Sequence, residues 1–135
     1  MMTLFDAPDR ESSCVMRSRS NTALQSLGLL NETQRIEMSR KLAERLIKST
    51  DDDQRRLDYL YGLLSSLKPT PNEKKACQDL VNAMRERYES SEEDAVALVS
   101  AGDAPRDQNI AVKELAAWTQ LTTIVLASDA AILIY

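Results

Sequence analysis

Apolar residues recurring every three or four positions constrain the fold of this chain more than any other feature of its sequence. One such row reads Leu57, Leu60, Tyr61, Leu64 and Leu67. This spacing places the side chains on one face of an α-helix. The 135 residues include only three glycines and four prolines, too few for an all-β fold with many tight turns. The sequence predicts an all-α fold, a compact bundle of five or six helices with an irregular N-terminal arm.

The first long helix is predicted from a capping residue and an apolar row. Asn31, with a glutamine three residues later, has the pattern of a capping box. The helix is expected to end near Ser49. Its predicted core face is the row formed by Met38, Leu42 and Leu46, which are four residues apart, widened by Ala43 and Ile47.

Further helix boundaries follow from turn residues. Thr70 as N-cap, Pro71 at the first helical position and Glu73 in the first turn form a strong start signal. Gly102 is the predicted stop of a later, short helix. The last helix is predicted to begin near Val112.

The length of the chain fits one domain, residues 1–135. Residues 1–20 have no apolar period and are predicted to form an irregular arm, with helices over 21–135. The stretch Leu115–Tyr135 is the one apolar enough to be considered as a membrane span, but Gln120 and Asp129 interrupt it. It is predicted to be a buried core helix, and no membrane span is expected.

Composition excludes several classes of function. The formal charge of −4 argues against nucleic acid as a partner. The absence of histidine excludes serine and cysteine hydrolases of the triad type, histidine-ligated haem and nearly every catalytic zinc site. The acidic run Asp51–Asp53 lacks the glycine and final glutamate of an EF-hand. We assign no catalytic residue, metal site or cofactor, and the sequence leaves an enzymatic role open.

Nine polar residues are the candidate binding or structural positions. They are Asp6, Asp9, Arg10, Arg17, Arg19, Asn21, Gln25, Asn31 and Asp129. In the primary interpretation these side chains cap helices and brace the arm through ion pairs. In the alternative, carboxylates beside amide donors bind sugar hydroxyls or act on a polysaccharide. The spacing of these residues does not decide between the two.

Asp129 is the most informative single residue of this set. It falls in one row with Leu121, Val125 and Leu133, which directs its side chain toward the core. A buried carboxylate needs a partner, and we hypothesise that one of the three arm arginines supplies it. The alternative is a frayed C-terminal turn with Asp129 in solvent.

The single tryptophan and the two cysteines have structural interpretations. Trp118 with Leu115 and Leu121 is predicted to form a packing cluster. Cys14 and Cys77 are predicted to be unpaired, because nothing in their spacing requires a disulfide bond.

Four ordered segments of the chain resemble a known family. The first comprises Phe5–Cys14, Arg17–Thr22, Leu24-Gln25 and Leu29–Asn31; the others are Tyr61 with Pro69-Thr70, then Gly102–Asp107, then Glu114–Thr119. Together they resemble the planctomycete-specific domain of unknown function at the C-terminal end of large planctomycete cytochrome-c-like proteins. The resemblance extends over nearly the whole chain. The chain departs from the family pattern at Ala23, Leu67, 127–128 and 130–131, while Leu126 and Asp129 match it, so its closing helix is expected to pack differently.

The resemblance implies a role and a set of partners. The chain looks like the C-terminal half of that larger domain, a non-catalytic structural or interaction module beside haem-bearing extracytoplasmic domains. Its expected partner is the missing N-terminal half, in the same chain or in another one. Apolar surface left exposed without that half would favour a homo-oligomer. Full-length relatives look extracytoplasmic, and no signal peptide is visible at the start of this sequence.

Overall fold

Five α-helices account for most of the residues that the structure, a computed structural model, describes: 32–64 and 68–128. In chain order they are α1 (Thr33–Ser49), α2 (Asp53–Leu64), α3 (Pro71–Ser90), α4 (Glu92–Val99) and α5 (Val112–Leu126). No strand occurs in these ranges. The predicted all-α bundle is therefore confirmed, while the arm and the helix predicted immediately after it lie outside the described residues.

Helix α5 occupies the centre of the bundle. It packs against α1, α3 and α4, and Leu115, Trp118 and Leu121 have no exposed surface. Ile124 is the one exposed residue of α5. A helix covered on nearly every side is apolar all round, which explains the composition of this stretch. The packing cluster around Trp118 is confirmed, and the predicted core helix is confirmed as far as Leu126, where the helix ends; residues 129–135 lie outside the described part of the chain. None of the five helices is both long and apolar enough to cross a bilayer.

The buried face of α1 is wider than the predicted one. Leu46 and Ala43 are fully buried and Leu42 and Ile47 pack against the core, as predicted, whereas Met38 is 43% exposed. Ser39, Arg40 and Glu44 are buried as well. The polar side chains are covered because the loop that precedes α5 packs on α1, as described below.

The start of α1 also differs from the prediction. Glu32 occupies the N-cap position without a side-chain capping bond, one residue after the predicted Asn31, which lies outside the described residues. The end of the helix at Ser49 agrees with the prediction.

The start of α3 agrees with the prediction in detail. Thr70 is the N-cap, and its hydroxyl accepts a hydrogen bond from the backbone N–H of Glu73 at 3.3 Å. The Glu73 carboxylate accepts one from the Thr70 N–H at 2.7 Å. Pro71 occupies the first helical position. Local chemistry at this boundary is sufficient to begin a helix without help from the core.

Candidate functional site

The nine polar residues predicted as a site are not placed by the structure. They are Asp6, Asp9, Arg10, Arg17, Arg19, Asn21, Gln25, Asn31 and Asp129, and all lie outside the described residues. The bracing interpretation, the carbohydrate interpretation and the ion pair of Asp129 with an arm arginine therefore stay predictions. The candidate site that follows is built from other residues.

A cluster of four charged side chains joins three helices. Arg85, on α3, donates from Nε and Nη2 to the two oxygens of Glu114, on α5, at 2.8 and 2.6 Å. Its Nη1 and Nη2 donate to the two oxygens of Asp53, at the start of α2, at 2.7 and 3.1 Å. One guanidinium thus binds two carboxylates through paired hydrogen bonds, a geometry that lysine cannot reproduce. We call Asp53, Arg56, Arg85 and Glu114 the charge cluster.

Arg56 completes the charge cluster from α2. Its Nη1 donates to Asp53 and to Glu114, at 3.2 Å in each case. Its Nε donates to the carbonyl oxygen of Thr50 at 2.7 Å. The guanidinium lies 5.4 Å from the ring centre of Trp118, whose indole N–H donates to Glu114 at 3.0 Å. The cluster therefore continues into the core through an aromatic ring that is fully buried.

The two carboxyl groups of the cluster are stabilised as anions. Partial burial alone would raise the pKa of Asp53, but hydrogen bonds from Arg85 and Gln78 outweigh it and lower that pKa below its ordinary value. Burial also acts against ionised Glu114, and the hydrogen bonds and charge of Arg85 again lower the pKa below the ordinary one. Hydrogen bonds to both carboxylates raise the pKa of Arg85. Neither acid is adapted to donate or accept a proton near neutral pH.

A second polar arrangement fastens the loop before α5 to α1. Arg40 Nη2 donates to the carbonyl oxygen of Ala104 and Lys41 Nζ to that of Pro105, at 2.6 Å each. Glu44 accepts from the backbone N–H of Asp107 at 3.0 Å. The loop thereby covers Arg40 and Glu44 of α1, which the apolar pattern did not place in the core.

Contacts with α1 also hold both ends of this loop. Lys48 pairs with Asp107, and this contact lowers the pKa of Asp107 below its ordinary value. At the other end, Glu37 accepts from the backbone N–H of Asp103 at 2.7 Å. Gly102 has a φ of +90°, and a Cβ at this position would clash with the Glu37 carboxylate. Glycine is required here both for the backbone conformation and for the close approach of α1.

The buried thiol is not arranged as a nucleophile. Cys77 is a free cysteine on α3, and the Tyr61 hydroxyl lies 3.9 Å from its sulfur. Burial raises the pKa of both groups above their ordinary values. A neutral thiol is a poor nucleophile. Cys77 forms no disulfide bond with a described residue; Cys14 lies outside the described residues, so the prediction that the two are unpaired stays a prediction.

Metal binding has no support among the residues that the structure describes. No group of three or more cysteine, aspartate or glutamate side chains there is close enough to hold an ion. In the charge cluster both carboxylates already bind arginine, so the arrangement joins helices rather than binding a cation.

The charge cluster was missed by sequence reasoning, although local signals for parts of it exist. Asp53 and Arg56 are three residues apart, and Glu114 and Trp118 are four apart, the spacings at which helical side chains meet. Arg85 carries no such signal, because both of its partners belong to other helices. Two segments quoted for the family resemblance, Gly102–Asp107 and Glu114–Thr119, supply the fastened loop and part of the charge cluster.

Comparison with known proteins identifies one family. The family PSD1, described as a protein of unknown function (DUF1553), matches residues 1–81. The match is shorter than the resemblance had implied, since Gly102–Asp107 and Glu114–Thr119 lie beyond it. No curated protein and no solved structure matches the chain. Because the family match covers more than half of the sequence, the chain belongs to the PSD1 family.

Proposed function

We propose that this chain is a non-catalytic structural or interaction module. The observation that carries the proposal is the charge cluster, in which every charged group is bound by groups of opposite charge. Arg85 alone makes four hydrogen bonds of 2.6 to 3.1 Å to carboxylates on two other helices. The side chains of the charge cluster are therefore engaged in holding three helices together.

The ionisation of the described side chains supports the same proposal. A general acid at neutral pH needs a carboxyl group with a raised pKa, whereas the pKa values of Asp53 and Glu114 are lowered. A nucleophilic thiol needs a lowered pKa, whereas burial raises that of Cys77. These groups are suited to stability rather than to proton transfer or covalent chemistry.

The finer part of the proposal concerns where such a module acts. By its resemblance to the planctomycete-specific domain, we assign it a scaffold role beside haem-bearing extracytoplasmic domains. Its partner is the preceding half of that domain, supplied by the same chain or by another. Family membership supports this assignment only at the level of a domain of unknown function.

Exposed apolar side chains on two packed helices support an interaction role. Met38, on α1, is 43% exposed and Ile124, on α5, is 38% exposed. Both lie within one turn of contacts that join these helices: Arg35 donates to the Leu126 carbonyl at 3.2 Å, and the Thr122 hydroxyl donates to that of Ser39 at 3.0 Å. Apolar surface of this kind favours association when no partner covers it.

The experiment is light scattering coupled to gel filtration, with fluorescence of an apolar dye measured on the same samples. We expect an average mass above that of the monomer that rises with concentration, together with dye binding. The double variant Met38→Gln, Ile124→Gln should reduce both signals, because it removes the apolar side chains near the α1–α5 contact. The matched control is Gln34→Ser, because Gln34 is exposed on α1 and the change replaces one polar side chain by another.

A clear negative result is possible. A monomer at every concentration, with no dye binding, would contradict an interaction surface that needs a partner. If the double variant and Gln34→Ser change the average mass and the dye fluorescence equally, the association does not involve Met38 and Ile124.

A further inference from the structure

Helix α4 carries an apolar surface that no described part of the chain covers. Ala95 and Val99 are fully buried, whereas Val96 beside them is 45% exposed and Ala97 is also exposed. Val96 and Ala97 line an open depression of about 580 Å³, together with Glu92, Glu93 and Ser100. We call these five residues the α4 surface.

The rim of the α4 surface carries an excess of negative charge. Glu93 has no ion pair with any residue that the structure describes. Glu92 shares one cation with Glu89, since Lys113 Nζ lies 3.2 Å from the Glu89 carboxylate and 3.8 Å from that of Glu92. Two carboxylates therefore share the Lys113 ammonium group, and the described residues supply no cation to Glu93. A complementary occupant combines bulky apolar side chains with cations a few positions away.

This chain contains a segment of that chemistry. Residues 12–31 include no acidic residue, and their two cations are Arg17 and Arg19. Val15 and Met16 directly precede Arg17, so apolar side chains and guanidinium groups fall within five positions. The segment lies outside the described residues, and it joins the described structure at Glu32, the residue before α1.

The distances allow this segment to reach α4. Glu37, on α1, binds the backbone of Asp103, four residues after the end of α4 at Val99. Glu37 is five residues from Glu32, about 8 Å along a helix. The 13 residue steps from Glu32 back to Arg19 span as much as about 43 Å when extended, far more than the length of α4, which is about 12 Å.

We infer that the α4 surface is the docking site of the segment Cys14–Arg19 of the same chain. Val15 and Met16 cover Val96 and Ala97, and the two arginines pair with Glu92 and Glu93. The inference is independent of the proposed function, because it concerns a contact within one chain. It leaves Arg10 available for the separately predicted ion pair with Asp129.

Cys14, at the start of the segment, makes the contact measurable in the full-length chain. In the variant Ala97→Cys, the oxidant diamide takes up two electrons and two protons from the two thiols, and a disulfide bond forms if they meet. The product is detected by non-reducing electrophoresis and located by peptide mass spectrometry. Ser100→Cys probes a second position on the same surface. Leu63→Cys, on α2 and 41% exposed, is the matched control.

The expected result is a cross-link from Cys14 to the thiol introduced at position 97 or 100, about tenfold faster than to the one at position 63. The cross-linked species should be a monomer, with a rate independent of protein concentration. Adding Glu92→Lys and Glu93→Lys should slow the reaction about tenfold, which corresponds to about 1.4 kcal/mol. Adding Arg17→Glu and Arg19→Glu to that variant should restore the rate.

Each other outcome would overturn the inference. Equal rates at positions 63 and 97 would mean that Cys14 does not dock on α4. A rate unchanged by charge reversal, or not restored by the second reversal, would exclude the ion pairs. A cross-linked dimer in place of a monomer would show that the occupant is a second copy. Failure of the proposed function would instead appear as an absence of association and dye binding, and it would leave these rates unchanged.

Discussion

Replacing Arg85 by methionine tests the charge cluster directly, because methionine retains apolar bulk and removes the cation. Removal of one partner from a fully buried ion pair costs about 3 to 5 kcal/mol. An exposed pair contributes about 0.2 to 1 kcal/mol. The Arg85 side chain is 33% exposed and its partners, Asp53 and Glu114, are 21% and 28% exposed, so the cluster lies between these limits. We expect Arg85→Met to reduce the free energy of unfolding by about 2 kcal/mol.

The assay is urea denaturation followed by far-ultraviolet circular dichroism, supported by thermal unfolding. A loss of about 2 kcal/mol lowers Tm by about 6 °C in a domain of this size. Arg87→Met is the matched control on the same helix. Arg87 pairs with Asp94 at 3.4 Å with both side chains more than half exposed, so its removal should cost about 0.5 kcal/mol or less. Equal losses in the two variants would refute the reasoning.

The difference in free energy of unfolding between the wild-type chain and Arg85→Met should depend on pH, and this dependence separates an effect of charge from one of packing. Asp53 and Glu114 have lowered pKa values in the folded chain, so the stability they contribute is present above their unfolded pKa values, about 3.9 and 4.3. It is lost as the pH falls through the lowered folded values. Without Arg85 these pKa values rise, and the difference of about 2 kcal/mol near pH 7 should shrink below about pH 4. A difference that stays constant on acidification would indicate lost packing instead.

Three further predictions concern single positions. Gly102→Ala should destabilise the chain by about 1 to 2 kcal/mol in urea titration, because φ is +90° and the new Cβ meets the Glu37 carboxylate; a neutral effect would contradict this geometry. Thr70→Ala should cost about 1 kcal/mol in the same assay through loss of the capping box, and Tm should not rise. Cys77 should react with a chromogenic disulfide reagent only after urea is added, since burial raises its pKa; equal rates with and without urea would contradict that protection.

Prediction from sequence succeeded where the interactions are local. The start of α3 depends on bonds among Thr70, Pro71 and Glu73, all within four residues, and these were predicted correctly. The burial of Trp118 followed equally from apolar neighbours on its own helix. In each case the signal that permits the prediction lies within about one helical turn of the residue concerned.

Prediction failed where the partner is distant in sequence. The face of α1 was assigned from its apolar row, yet Arg40 and Glu44 are buried because a loop more than 60 residues away supplies backbone groups for them. Arg85 gave no signal, because its partners lie 29 and 32 residues away on other helices. The nine predicted polar positions, Asp129 among them, stay predictions because the structure does not describe them.

The central position of α5 has a consequence for synthesis of the protein. A chain emerges from the ribosome in sequence order, and α5 is the last of the five described helices to be made. Until it appears, Leu46 on α1 and Val81 on α3 lack the helix that their own helices pack against. We therefore expect the nascent chain to stay without a completed core until about residue 126 has left the exit tunnel, and its apolar faces to need protection until then.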